Sequence, residues 1–202
     1  METSTQSVEQ LLQQVLSDLA ELVAGIGPEQ LDRPTPCTDF DVAALRGHIV
    51  TWVTQLAVAF DDPDGEGDRP DPTALELPSD AAGAAAAIRR AAARVHEAVS
   101  AGAAEGNVLF VSAPMPGQML LRMMLWEYVT HGSDLARATG RPWTPPAAAV
   151  EGSLEFGPSM LTDEYRGPGK DFGPVVEVPE DASALDRLLG FSGRDPNWTP
   201  TG

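Results

Sequence analysis

The sequence predicts an all-α protein, a four-helix bundle followed by a small irregular C-terminal extension. Three observations predict it. Four segments long enough for helices carry apolar residues at i, i+3, i+4 and i+7 spacing. The links between them are short to medium, as in a bundle. Strand-like runs are too few for a Rossmann or barrel fold, and no internal repeat is present. With 202 residues, 43% of them hydrophobic, the chain suits one domain with a small appendage. The composition changes after Pro146, so residues 1–146 are expected to form the bundle and 147–202 an extension packed on it.

The first helix carries Val8, Leu11, Leu12, Val15, Leu19, Leu22, Val23 and Ile26 on one stripe. Ser7-Val8-Glu9-Gln10 can cap its start, and Gly27-Pro28 stops it. The second opens at Thr38-Asp39-Phe40-Asp41, which fits a capping box with Asp in fourth place, and runs to about Phe60. The third, Ser79 to Ala101, is alanine-rich with a stripe of Ile88, Ala92, Val95 and Val99. The fourth runs from Gly117 to Thr139 and stops at Gly140-Arg141-Pro142. Between the second and third lies an acidic stretch, Asp61 to Pro78, which reads as a solvated, mobile loop without calcium-loop spacing. Val108 to Val111 is a short strand-like piece. Pro145 to Thr162 is a candidate fifth helix and Asp181 to Phe191 a short last one, separated by the punctuated segments Arg166-Gly167-Pro168-Gly169 and Phe172-Gly173-Pro174.

Acidic residues outnumber basic ones 30 to 13, for a net charge of -17. Such a surface repels nucleic-acid phosphates and anionic lipid heads, so the expected partner is a small molecule, with the chain a monomer or homodimer. One cysteine, Cys37, excludes an intramolecular disulfide and a cysteine-based structural zinc site. The polar start, Met1 to Gln6, lacks a signal-peptide pattern. No apolar run is expected to span a membrane, the nearest being Met119 to Trp126 with Arg122 inside it. These features predict a cytoplasmic protein.

The chemistry centres on two helices. On the second, Ala44, Leu45, His48, Trp52, Gln55 and Ala59 share a largely apolar face, so His48 points inward. On the fourth, Leu120, Met123, Met124, Glu127, His131, Asp134 and Ala138 share a face, with Glu127 and His131 on adjacent turns. A carboxylate on such a face needs a partner or a metal. Two imidazoles and a carboxylate make a catalytic-type zinc set with an open position, and Asp134 is placed to orient a ligating histidine. The same pattern also fits a hydrogen-bonded core cluster without metal. His96 sits beside its helix's stripe and reads as a rim residue. Cys37, just ahead of a helix start, is either a small buried residue or a nucleophile with a lowered pKa. Ser112, Ser133 and Ser153 have no convincing base for a hydrolase triad.

Pro34-Thr35-Pro36-Cys37-Thr38-Asp39-Phe40-Asp41-Val42, with Leu45 and Gly47-His48-Ile49-Val50, resembles the first signature of the mycothiol-dependent maleylpyruvate isomerase-like family of the DinB/YfiT-like superfamily. Glu127 to Gly140 resembles the second. Tyr165 to Gly169, Phe172 to Pro174, Asp186 to Phe191 and Gly193-Arg194-Asp195-Pro196 resemble the tail of its shorter members. The resemblance implies a DinB-like bundle with a divalent metal, zinc by preference, on His48, Glu127 and His131. It implies mycothiol as thiol cosubstrate for S-transfer to, or cis-trans isomerisation of, a small electrophile. The alternatives are a metal-independent biosynthetic enzyme using the bundle cavity and a non-catalytic metal- or small-molecule-binding protein. Ser133 stands where many relatives carry Trp, a difference expected to open or reshape the pocket, and the resemblance is to members without the longer C-terminal domain of the isomerase itself.

Overall fold

The computed structural model describes residues 6–69, 71–167, 170 and 172–200. The N-terminal segment Met1 to Thr5, and Pro168 and Gly169 of the punctuated segment, lie outside them. Four long helices form the bundle: α1 (Val8–Ala24), α2 (Val42–Asp61), α3 (Ala81–Ser100) and α4 (Gly117–Thr139). Helices α1 and α2 each pack on both α3 and α4, so the ring runs α1, α3, α2, α4. The core is a continuous apolar cluster in which Leu12, Leu16 and Leu19 of α1, Leu45, Ile49 and Leu56 of α2, Ile88 of α3 and Leu120 and Leu135 of α4 are wholly buried. The helical mixture with only a minor strand component agrees with the all-α DinB-like class.

Capping explains most helix ends. At α1, Ser7 Oγ accepts from the Gln10 amide at 3.2 Å while Gln10 Oε1 accepts from the Ser7 amide at 2.9 Å, the reciprocal box expected from sequence. At α2 the expectation needs correction. The cap is Asp41, whose Oδ1 accepts from the Ala44 amide at 2.7 Å, and not Thr38. Residues 35–40 are held instead as a turn, in which the Thr35 hydroxyl donates to the carbonyls of Cys37 and Phe40. Asp80 caps α3, and Gly140 closes α4 in the left-handed region at φ 71°.

The strand-like piece is half of a hairpin, β1 (Asn107–Phe110) and β2 (Ala113–Pro116), in antiparallel register Phe110↔Ala113 to Asn107↔Pro116. Pro114 and Pro116 disguise β2 in the sequence, but an edge strand tolerates proline because half its amides need no ladder partner. The acidic loop is anchored to this hairpin: Arg69 donates to the Leu109 and Asp62 carbonyls, and Asp62 accepts from the Glu66 and Gly67 amides. The free loop expected from composition is therefore tied down.

Helix α2 also corrects the membrane reading. By length and a mean hydropathy of 1.2 it is the one described helix apolar enough to cross a membrane. In the fold its apolar residues face α3 and α4, and Arg46 and His48 lie within it. It is a core helix, and its hydropathy reflects burial.

After the bundle, α5 (Ala147–Met160) packs on α4 and α1, and α6 (Ala184–Phe191) packs on α5. A Cβ on Gly117, the first residue of α4, would lie 2.6 Å from the Ala104 backbone. Main chain cannot yield there as a side-chain tip would. Gly117→Ala is expected to cost about 1–3 kcal/mol, read as a lower urea midpoint at unchanged m.

Candidate metal centre

Helices α2 and α4 bring His48, Glu127 and His131 together. Oε1 of Glu127 lies 3.1 Å from Nε2 of His48 and 3.1 Å from Nε2 of His131. One ligand atom from each of the three falls within 4.8 Å of the others. Ligands at ~2.0–2.1 Å from a tetrahedral zinc ion stand about 3.3 Å apart, so the two Glu127–histidine spacings and the donor chemistry fit such an ion. The His48 and His131 rings meet edge to face, 5.1 Å between centroids, and Phe40 packs on His48 at 5.0 Å.

Asp134 is one turn beyond His131 and wholly buried. Its Oδ2 lies 3.0 Å from Nδ1 of His131, which orients the ring so that Nε2 faces Glu127. Burial alone would depress the His131 imidazole. The Glu127 and Asp134 carboxylates together outweigh it and hold the pKa up at about 9. Burial would likewise raise the Glu127 carboxyl, but His131 and His48 hold it well below the ordinary carboxylate range. A metal taking this site must displace the His131 proton, so its binding tightens as pH rises toward 9.

The triad opens into a cavity of about 550 Å³. Phe40, Trp52 and Phe110 line one side, and Trp126 and Phe172 are also part of the wall. Trp52 and Phe110 pack at 5.8 Å, while Trp126 and Phe172 stack at 5.5 Å and 17°.

A family model described as the mycothiol maleylpyruvate isomerase N-terminal domain matches residues 12–136. The chain belongs to this family. Two uncharacterized proteins from two strains of Mycobacterium tuberculosis are each 30% identical to it over 177 residues, which is 87% of this chain and 91% of theirs. No solved structure matches significantly. His48, Glu127, His131 and Asp134 all fall inside the segment that matches the mycothiol isomerase family model.

Arg194 falls outside it and is the site residue that sequence reasoning passed over. It is 6% exposed and reaches back from the tail. Its Nη2 donates to Cys37 Sγ at 3.2 Å and lies 3.5 Å from Asp134 Oδ2, and its Nη1 donates to the Ser192 carbonyl at 2.6 Å. The available signal was the arginine of Gly193-Arg194-Asp195-Pro196, just after an apolar helix end. Cys37, His131 and Asp134 form a second cluster of potential metal donors, but there the Arg194 guanidinium already supplies the cation.

Burial pushes the Cys37 thiol up to about 11, more than Arg194 pulls it down, so it stays protonated at neutral pH. His96 is exposed and pairs with Glu9 at 2.7 Å, away from the triad. Ser133 is buried and donates to the Val129 carbonyl at 2.9 Å. It is not among the described residues that line the cavity.

Proposed function

We propose that this protein is a metal-dependent enzyme that uses a low-molecular-weight thiol, mycothiol, for S-transfer to a small electrophilic metabolite or for its cis-trans isomerisation. The observation that carries this reading is the Glu127 carboxylate oxygen set between two imidazole nitrogens at equal distance, at the edge of a cavity. His48, Glu127 and His131 would hold the ion, zinc by their donor chemistry, and a bound zinc ion would favour the thiolate form of an entering thiol.

The chain's own residues then do the rest. Asp134 fixes the His131 ring, and Phe40 packs on His48. The aromatic walls exclude water and hold the electrophile near the thiol sulfur. In S-transfer the sulfur bonds to the electrophilic carbon as the leaving group departs with its electron pair. In isomerisation the sulfur adds to one alkene carbon as the π pair moves onto the conjugated carbonyl, the remaining single bond rotates, and return of that pair expels the thiolate and restores the alkene in the trans form. The protonated Cys37 is not the nucleophile; the thiol cosubstrate supplies it.

The bundle through residue 146 carries the ligands on this reading, and residues 147–202 complete the cavity. The protein acts as a monomer or homodimer on a small molecule, in the cytoplasm, where such thiols are kept reduced. Metal analysis of the purified protein tests it. About one zinc per chain is expected, with mycothiol consumption in an electrophile screen lost on chelation and restored by zinc. A chain that takes up no metal, or turns over equally well after chelation, contradicts it.

A further inference from the structure

The geometry points to an uncharged, ring-sized apolar electrophile as the substrate of this cavity, in preference to a carboxylate. This rests on the thiol-transfer reading above. The walls are aromatic on two sides: Trp52 and Phe110 from α2 and the hairpin, Trp126 and Phe172 from α4 and the tail. The polar edge of Trp126 is already used, since its Nε1 donates to Ser192 Oγ at 2.9 Å.

The charges decide the matter. Among the described residues that line the cavity, Arg194 is the only one with a permanent positive charge. Its Nη1 and Nη2 donate to the Ser192 carbonyl and the Cys37 sulfur, its Nε is buried without a hydrogen-bond partner 3.5 Å from Asp134 Oδ2, and its charge is balanced by that buried carboxylate. Asp39 adds a negative charge to the wall, and the whole chain carries -17. The His131 ring is taken by Glu127 and Asp134, and a zinc ion on the triad would be balanced by Glu127 and the bound thiolate, so a carboxylate entering here would lose its hydration and meet no unpaired cation. The Cys37 thiol and the half-exposed Tyr165 hydroxyl suit a carbonyl or nitro oxygen instead. The volume, about 550 Å³, suits the end of a thiol cosubstrate together with one ring.

Matched probes test this on the full chain. Benzyl chloride and para-(chloromethyl)benzoate share one reacting carbon. With mycothiol, sulfur forms the C–S bond and chloride leaves with its electron pair. For the zinc-loaded protein, kcat/KM divided by the uncatalysed rate is expected to favour benzyl chloride by at least about tenfold. A second arm uses neither thiol nor metal: saturable quenching of tryptophan fluorescence by nitrobenzene and by para-nitrobenzoate, with nitrobenzene binding at least about tenfold tighter. Phe110→Arg, which places a free cation on the wall, should narrow both ratios, with circular dichroism confirming the fold. Equal or tighter binding of para-nitrobenzoate, or ratios unmoved in a folded Phe110→Arg variant, overturns the proposal. Preferential binding of nitrobenzene with no turnover of either chloride supports the substrate class and counts against the thiol-transfer reading alone.

Discussion

His131→Ala is expected to abolish both metal retention and thiol-dependent turnover while leaving the helical circular-dichroism signal close to wild type. His131 is 4% exposed and joins three functions: it is a ligand, it holds Glu127 at 3.1 Å, and it is oriented by Asp134. Loss of an orienting partner alone costs roughly 10–100-fold in metal affinity, and loss of a ligand from a three-ligand site costs more. Folding is less exposed, because the bundle core is built from many buried leucine, isoleucine, valine and alanine side chains. The expected stability loss is about 1–3 kcal/mol, since Asp134 keeps Arg194 and Glu127 keeps His48. His96→Ala is the control; its exposed pair with Glu9 touches nothing in the triad, so metal content and turnover should not move. A His131→Ala protein with full metal content and activity would remove His131 from the site.

The second large effect is at Arg194. Arg194→Met leaves the wholly buried Asp134 without its guanidinium, and stability should fall by roughly 3 kcal/mol in urea. Asp134→Asn in the same chain removes the buried carboxylate that would then have only His131 to pair with, and should restore more than half of that loss. The double variant should nevertheless bind metal more weakly than wild type, because an amide oxygen orients the His131 ring less firmly than a carboxylate does. If Arg194 were an anchor for substrate and not an internal counter-ion, Arg194→Met would raise KM and leave the urea midpoint in place. That outcome would contradict the charge balance assigned to it here.

Much of this was legible in the amino-acid order because periodicity reports burial. The phase of His48 on α2 and of Glu127 and His131 on α4 turned them toward one another, and the caps at Ser7 and Gly140 act locally. What was hidden depended on contacts distant in sequence. Thr38 looked like a cap because it precedes an apolar run, but the Thr35 turn carries the chain three residues further before Asp41 begins α2. β2 carries Pro114 and Pro116, which usually break strands, and only its pairing with β1 makes it a strand. Arg194 stands 60 residues from Asp134, and no local pattern joins them. The apolar length of α2 passes a membrane test because a helix packed within a bundle and one in lipid meet the same demand.

Thiol chemistry in this cavity requires that His48, Glu127 and His131 hold a metal that a thiol can reach. X-ray absorption at the zinc edge measures this directly. Zinc-loaded protein should show a nitrogen and oxygen shell at about 2.0–2.1 Å that is lost in His131→Ala, and mycothiol should add a sulfur scatterer at about 2.3 Å. A zinc environment unchanged by His131→Ala, or one in which no sulfur shell appears at saturating mycothiol, would contradict it.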